Sequence, residues 1–134
     1  MNQTGPVASN DSLKHLETTV AIIGAGFSGL GMAIQLRRQG RDDFLILEKS
    51  HDVGGVLRDN TYPGCGCDVP TVIYSYSFEQ NPFWSKIWSS QPEIHAYLRQ
   101  ITDKYGLRRK TLFGTEFVAA RWDASAPALA RAFS

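Results

Sequence analysis

The sequence predicts an α/β fold: a parallel sheet whose first two strands are joined by a crossover helix. Three observations carry that prediction. Residues 18–23, TTVAII, are β-branched and apolar; residues 27–39 repeat apolar side chains at helical spacing; and residues 44–48, FLILE, form a second short apolar run. Two apolar strands flanking one helix join right-handedly, with the strands parallel.

Residues 1–17, MNQTGPVASNDSLKHLE, are polar and are expected to be a flexible lead-in without the apolar centre of a secretory signal. The unbroken apolarity of 18–23 predicts a strand buried on both faces. In the helix that follows, Leu30, Ala33, Ile34 and Leu36 mark the buried stripe. Arg37 and Arg38 occupy its last turn, and Gly40 suits its C-terminal cap. Residues 49–82 are rich in Gly, Pro, Asp, Asn and Tyr without a sustained period. They predict a long irregular segment, of the kind that carries function in compact domains. Tyr62, Tyr74, Tyr76 and Phe78 are its candidate anchors. Trp84 and Trp88 flank Ile87 at helical spacing and are expected in the core. Ser90 and Glu93 have capping-box spacing, Pro92 suits a first turn, and Ile94, Tyr97, Leu98 and Ile101 continue a helical stripe towards Gly106. Residues 115–123, TEFVAARWD, alternate as a strand. Residues 124–134 are an atypical Ala-rich tail expected to supply no return strand. The domain division is therefore a lead-in at 1–17, a partial nucleotide-binding domain at 18–123 and a tail at 124–134.

The chain has 134 residues, 43% hydrophobic and 20% charged, the profile of one globular domain. A formal net charge of +1 gives no reason to expect nucleic acid or an anionic membrane as a partner, and no apolar run could span a bilayer. Cys65 and Cys67 are one residue apart, which suits neither a disulfide nor, without a second pair, a zinc site. No metal is expected, and the location expected is cytoplasmic. His15, His51 and His95 are expected at the surface, with His95 facing away from its helix stripe.

The junction of the first strand and helix reads Gly24-x-Gly26-x-x-Gly29. The first two glycines permit a tight turn and close approach to phosphate; the third lets helix and strand pack. The helix start offers free N–H groups and a partial positive charge to a pyrophosphate. Glu48 ends the second strand about twenty residues later, where an acid accepts from a ribose 2′-OH and repels a 2′-phosphate. This is the Rossmann-like pattern for FAD or NAD. Gly54 and Gly55 add a second stretch of backbone able to approach the ligand.

The stretch GGVLRDNTYPGCGCDVPTVIYSYSF, 54–78, resembles the FAD domain of Baeyer–Villiger monooxygenases, within the class B flavin monooxygenases. Gly54, Gly55, Arg58, Asp59, Asn60, Tyr62, Pro63, Gly64, Cys67, Asp68, Val69, Pro70, Tyr74, Ser75, Tyr76, Ser77 and Phe78 follow that pattern in order, and the resemblance extends over about 18–123. It implies an NADPH- and O2-dependent enzyme that turns a small organic ketone into an ester or lactone through a C4a-peroxyflavin. Carried over by position, Gly24, Gly26, Phe27, Ser28 and Gly29 surround the FAD pyrophosphate, Gly55 brings further backbone to the cofactor, and Glu48 holds the adenosine ribose. Val56 and Leu57 replace the family's Thr-Trp beside the cofactor. The resemblance makes Asp68 a catalytic residue near the flavin ring, Tyr74 a lining residue and Phe117 a backbone contact near adenine. The family's second nucleotide turn, for NADPH, has no counterpart among these residues. The expectation is therefore an incomplete FAD domain, truncated and inactive alone. The alternative is a non-catalytic FAD-binding module or inert remnant that needs a partner chain.

Overall fold

A computed structural model describes residues 16–125 and 128–133. The lead-in expected at 1–17 lies outside them except for Leu16 and Glu17, both exposed. Strand β1 (Val20–Ile23) leads through the glycine turn to helix α1 (Phe27–Arg38), and β2 (Phe44–Leu47) follows. β1 and β2 pair in parallel, Val20 opposite Phe44 and Ile22 opposite Ile46. Two residues far along the chain, β3 (Thr111–Leu112), add a third parallel strand on the other side of β2, giving the order β1-β2-β3.

The first helix stops as the sequence indicates. Gly40 donates its N–H to the Arg37 carbonyl and Arg41 to that of Leu36, which satisfies the last open carbonyls. A four-residue helix α2 (Val56–Asp59) interrupts the segment expected to be irregular. Helix α3 (Gln91–Lys104) is followed by a 3-10 turn at Leu107–Lys110 that runs into β3. Side chains from β1, β2, the helices and the 3-10 turn meet in one core. It takes Ile22, Phe44 and Ile46 from the sheet, Leu30, Ala33 and Ile34 from α1, Ile94, Leu98 and Ile101 from α3, and Leu107 from the 3-10 turn. Burying each of the larger of these, the Ile, Leu and Phe side chains, stabilises by about 1.5–3 kcal/mol relative to exposure.

Five expectations are corrected. β1 is not buried on both faces: Ile22 is buried, but Ala21 and Ile23 are exposed, because only the face bearing Val20 and Ile22 is covered. The capping box does not close. Ser90 makes no side-chain cap bond, and the Glu93 carboxylate instead accepts from the Ser85 N–H and hydroxyl, both at 2.8 Å. Residues 84–88 form no helix; Trp84 packs against the core, whereas Ile87 and Trp88 are exposed. Tyr62 is exposed and lies outside the core, unlike Tyr74, Tyr76 and Phe78, which pack against it. Finally, the Ala-rich stretch does return. β4 (Phe117–Asp123) pairs antiparallel with β5 (Ala128–Phe133), and the Asp123 carboxylate accepts from the Ser125 N–H at 2.9 Å as the chain turns. Small residues leave the sequence little alternation to read, but backbone pairing does not require it.

Candidate dinucleotide site

Two glycine turns face each other. The first joins β1 to α1, and the second, Gly54–Gly55, enters α2. The Gly24 N–H donates to the Leu47 carbonyl at 2.8 Å, and the Gly54 N–H crosses to the Ala25 carbonyl at 2.9 Å. A Cβ built on Gly29 would fall 1.9 Å from the Gly24 carbonyl oxygen, so α1 can lie on β1 only with glycine there. A Cβ on Gly55 would approach the Cα of Gly26 to 3.3 Å, and Gly55 has φ +54°, a region that disfavours side chains.

Between the turns lies a hollow of about 270 Å³. Gly24, Gly26, Phe27, Ser28, Gly29, Gly55, Val56 and Leu57 all line it. Helix α1 begins at its rim. Gly26 at the N-cap has no side chain to occupy the leading N–H groups, and the first turn carries no acid. Tyr74 packs edge-on against Phe27, with ring centroids 5.3 Å apart. The Tyr76 hydroxyl donates to the Phe27 carbonyl, and its own N–H donates to the Tyr97 hydroxyl at 2.9 Å. Burial pushes both the Tyr76 and Tyr97 phenols above their ordinary value, so both stay protonated donors.

Glu48 is buried, 4% exposed, just past the end of β2. Its Oε2 accepts the Ala25 N–H at 2.8 Å, and its Oε1 accepts the Ser50 N–H at 2.9 Å and an Arg58 N–H at 3.2 Å. The carboxylate therefore stitches the strand end to the first turn and keeps acceptor capacity on Oε2 for a hydroxyl. Arg58 also donates to the Asp52 carbonyl at 2.5 Å. These features fit a dinucleotide: side-chain-free backbone at a helix start for the pyrophosphate, and a fixed acid for the ribose.

Asp68 is not brought to this hollow. It is exposed and lines a separate open cleft of about 670 Å³ with Tyr62, Cys65, Cys67, Lys86 and Trp88. Phe117 is half-buried at the start of β4, outside the parallel sheet. Cys65 and Cys67 are free thiols, and among the described residues no three metal-ligating side chains gather.

Sequence reasoning missed a layer behind the second turn. His95 is not a bystander at the surface: its Nε2 lies 2.8 Å from the Val53 carbonyl oxygen. Asp52 is buried and accepts from the Val53 N–H at 2.9 Å, from Arg99 at 2.7 Å and from Arg108 at 3.0 Å. Burial opposes its ionisation, but the bonds from Arg108 and Arg99 outweigh it and hold the carboxyl below the ordinary range. The "KSHDV" stretch carries no period or motif; only the pairing of an acid with arginines far along the chain reveals its role.

The model of an NAD(P)-binding Rossmann-like domain matches residues 22–100. A Baeyer–Villiger monooxygenase of Pseudomonas aeruginosa is 59% identical over 104 residues, covering 78% of this chain and 20% of that protein. An oxidised steroid monooxygenase bound to NADP superposes with a TM-score of 0.81 at 37% identity, covering 87% of this chain and 23% of the other. The structure of OTEMO in complex with FAD and NADP superposes with a TM-score of 0.78 at 30% identity, covering 87% and 22%. The chain spans about a fifth of the length of the curated relatives it matches.

Proposed function

The chain belongs to the NAD(P)-binding Rossmann-like domain family, and from that premise we propose that its paired glycine turns hold FAD as part of a flavin-dependent monooxygenase. The observation that carries this reading is the gap between the turns, where Gly26 and Gly55 face each other without side chains at the start of α1. The backbone N–H groups there take the pyrophosphate. Glu48 takes the adenosine ribose through Oε2, and Val56 and Leu57 border the cofactor from α2. Phe27, braced by Tyr74 and Tyr76, fixes the first turn of α1. Phe117 contacts the adenine end. Bound FAD supplies the redox chemistry that spends NADPH and O2 on a small organic ketone. Asp68 serves as a catalytic residue from the separate cleft that it lines, and the free thiols suit the cytoplasm.

A second reading is favoured by the outer edge of β1, which has no partner strand among the described residues. On it, the chain is an FAD-binding unit that a partner chain completes, and it turns over no ketone alone.

Titration with FAD, followed by flavin fluorescence, tests the cofactor site. The wild-type chain is expected to bind saturably, and Gly26→Val to bind at least ~10-fold more weakly, because the added side chain enters the gap facing Gly55. A cooperatively folded chain that does not bind FAD overturns the reading. Ketone turnover by the chain alone would separately eliminate the partner-chain alternative.

A further inference from the structure

The geometry points to one face of α3, centred on His95, as the device that positions the second glycine turn. Gln91, His95 and Arg99 recur every fourth residue, so they share a face of the helix. Each reaches the same short segment. The Gln91 side-chain amide donates to the Leu57 carbonyl. His95 Nε2 lies 2.8 Å from the Val53 carbonyl, and Arg99 Nε lies 2.7 Å from the Asp52 carboxylate. A carbonyl only accepts, so the His95 Nε2 carries the hydrogen and donates it. The three acceptors bracket Gly54 and Gly55.

His95 also acts by volume. A Cβ on Gly54 would fall 2.7 Å from its ring, and Gly54 sits at φ +127°. The imidazole thus occupies the place a side chain at position 54 would take. On its other side Gly54 donates to the Ala25 carbonyl of the first turn at 2.9 Å. The Val53–Gly55 backbone is therefore held between a helix face and the first glycine turn. The width of the gap between Gly26 and Gly55 follows from where α3 puts His95. His95 is a positioning residue: it acts through Val53 and Gly54 rather than on the ligand. That the occupant of the gap is FAD rests on the function proposed above; the clasp does not.

Two polar replacements separate reach from mere presence. The amide of His95→Gln can occupy the place of Nε2 and donate to Val53, whereas that of His95→Asn stops short. Hydrogen exchange in the ligand-free full chain reads the turn through the Gly54 amide and global stability through the amides of β2. His95→Asn is expected to speed Gly54 exchange about tenfold, the loss equivalent to one hydrogen bond, while β2 amides keep their wild-type rates. His95→Gln is expected to retain wild-type exchange, and FAD affinity is expected to fall in Asn but not in Gln. Unchanged Gly54 exchange in His95→Asn, or Gly54 and β2 speeding up together, overturns the proposal. A wild-type chain that binds no FAD while Gly54 exchange still depends on His95 overturns the flavin reading and leaves the clasp standing. If His95→Asn does not fold, Arg99→Gln applies the same test from the next turn of the helix, with the Val53 amide, bonded to Asp52, as its reporter.

Discussion

At the scale of single residues, space and charge set what the site tolerates. Gly29→Ala places a methyl group 1.9 Å from the Gly24 carbonyl, and neither backbone can move without separating α1 from β1. A loss of at least ~3 kcal/mol is expected, measurable as the collapse of a cooperative urea transition. Asp52→Asn removes the buried charge that Arg99 and Arg108 share; because Arg99 is half exposed and Arg108 keeps Asp103, the expected cost near neutral pH is about 1–2 kcal/mol. The pH dependence has a definite sign. The folded Asp52 carboxyl titrates below the ordinary aspartate value of 3.8, so its stabilisation is complete above that value and is lost as pH falls through the lower, folded one. Wild-type stability is expected to drop across that acid window more than that of Asp52→Asn, as unfolding curves from neutral to acid pH would record. The sequence made Gly29 readable because its constraint is local: strand, turn and helix are consecutive. It hid His95, whose partner is a backbone carbonyl 42 residues away and leaves no trace in spacing. Glu48 was half readable. Its position declared an acid at a strand end, but not that it is buried and bonded to Ala25, Ser50 and Arg58.

At the scale of elements, α3 is where reading and structure part most usefully. Its stripe of Ile94, Leu98 and Ile101 was legible because burial imposes a helical period. Its start at Ser90, with Pro92 in the first turn, was legible too, but the capping box does not close because Glu93 has a better partner in Ser85. Ser90→Ala is therefore expected to change stability by less than ~0.5 kcal/mol, against about 1 kcal/mol for a working cap, in paired denaturant titrations. Tyr97→Phe should cost more. Its hydroxyl accepts the Tyr76 N–H and donates to the Glu79 carbonyl at 2.8 Å, so its removal strands two polar groups at a cost of about 2 kcal/mol. The strands show the converse limit. β1 and β2 announced themselves as apolar runs, but β3 is two residues long, and only its place beside β2 makes it a strand.

For the molecule as a whole, the core is continuous but its outer surface is not wholly polar. Ile73, Phe83, Ile87 and Trp88 are exposed, Phe83 at 85%, and Ile23 is exposed on the uncovered face of β1. Exposed apolar side chains in this number favour association. Light scattering of the purified chain is expected to rise with concentration, and the double variant Phe83→Ser, Ile87→Ser to lower it without moving the unfolding midpoint by more than a few degrees. A strictly monomeric wild type over the same range would contradict this.

The parallel sheet carries one more consequence, in time rather than space. β2 meets β3 only across about sixty intervening residues, and α3 and the whole tyrosine-rich segment lie between them. The β1–α1–β2 unit can form as soon as it is synthesised, but the strand that flanks β2 on its other side arrives last, after a long loop has been closed. Folding should therefore proceed in two steps: rapid assembly around Ile22, Leu30 and Ile46, then a slower docking set by the pairing of Ile46 with Thr111.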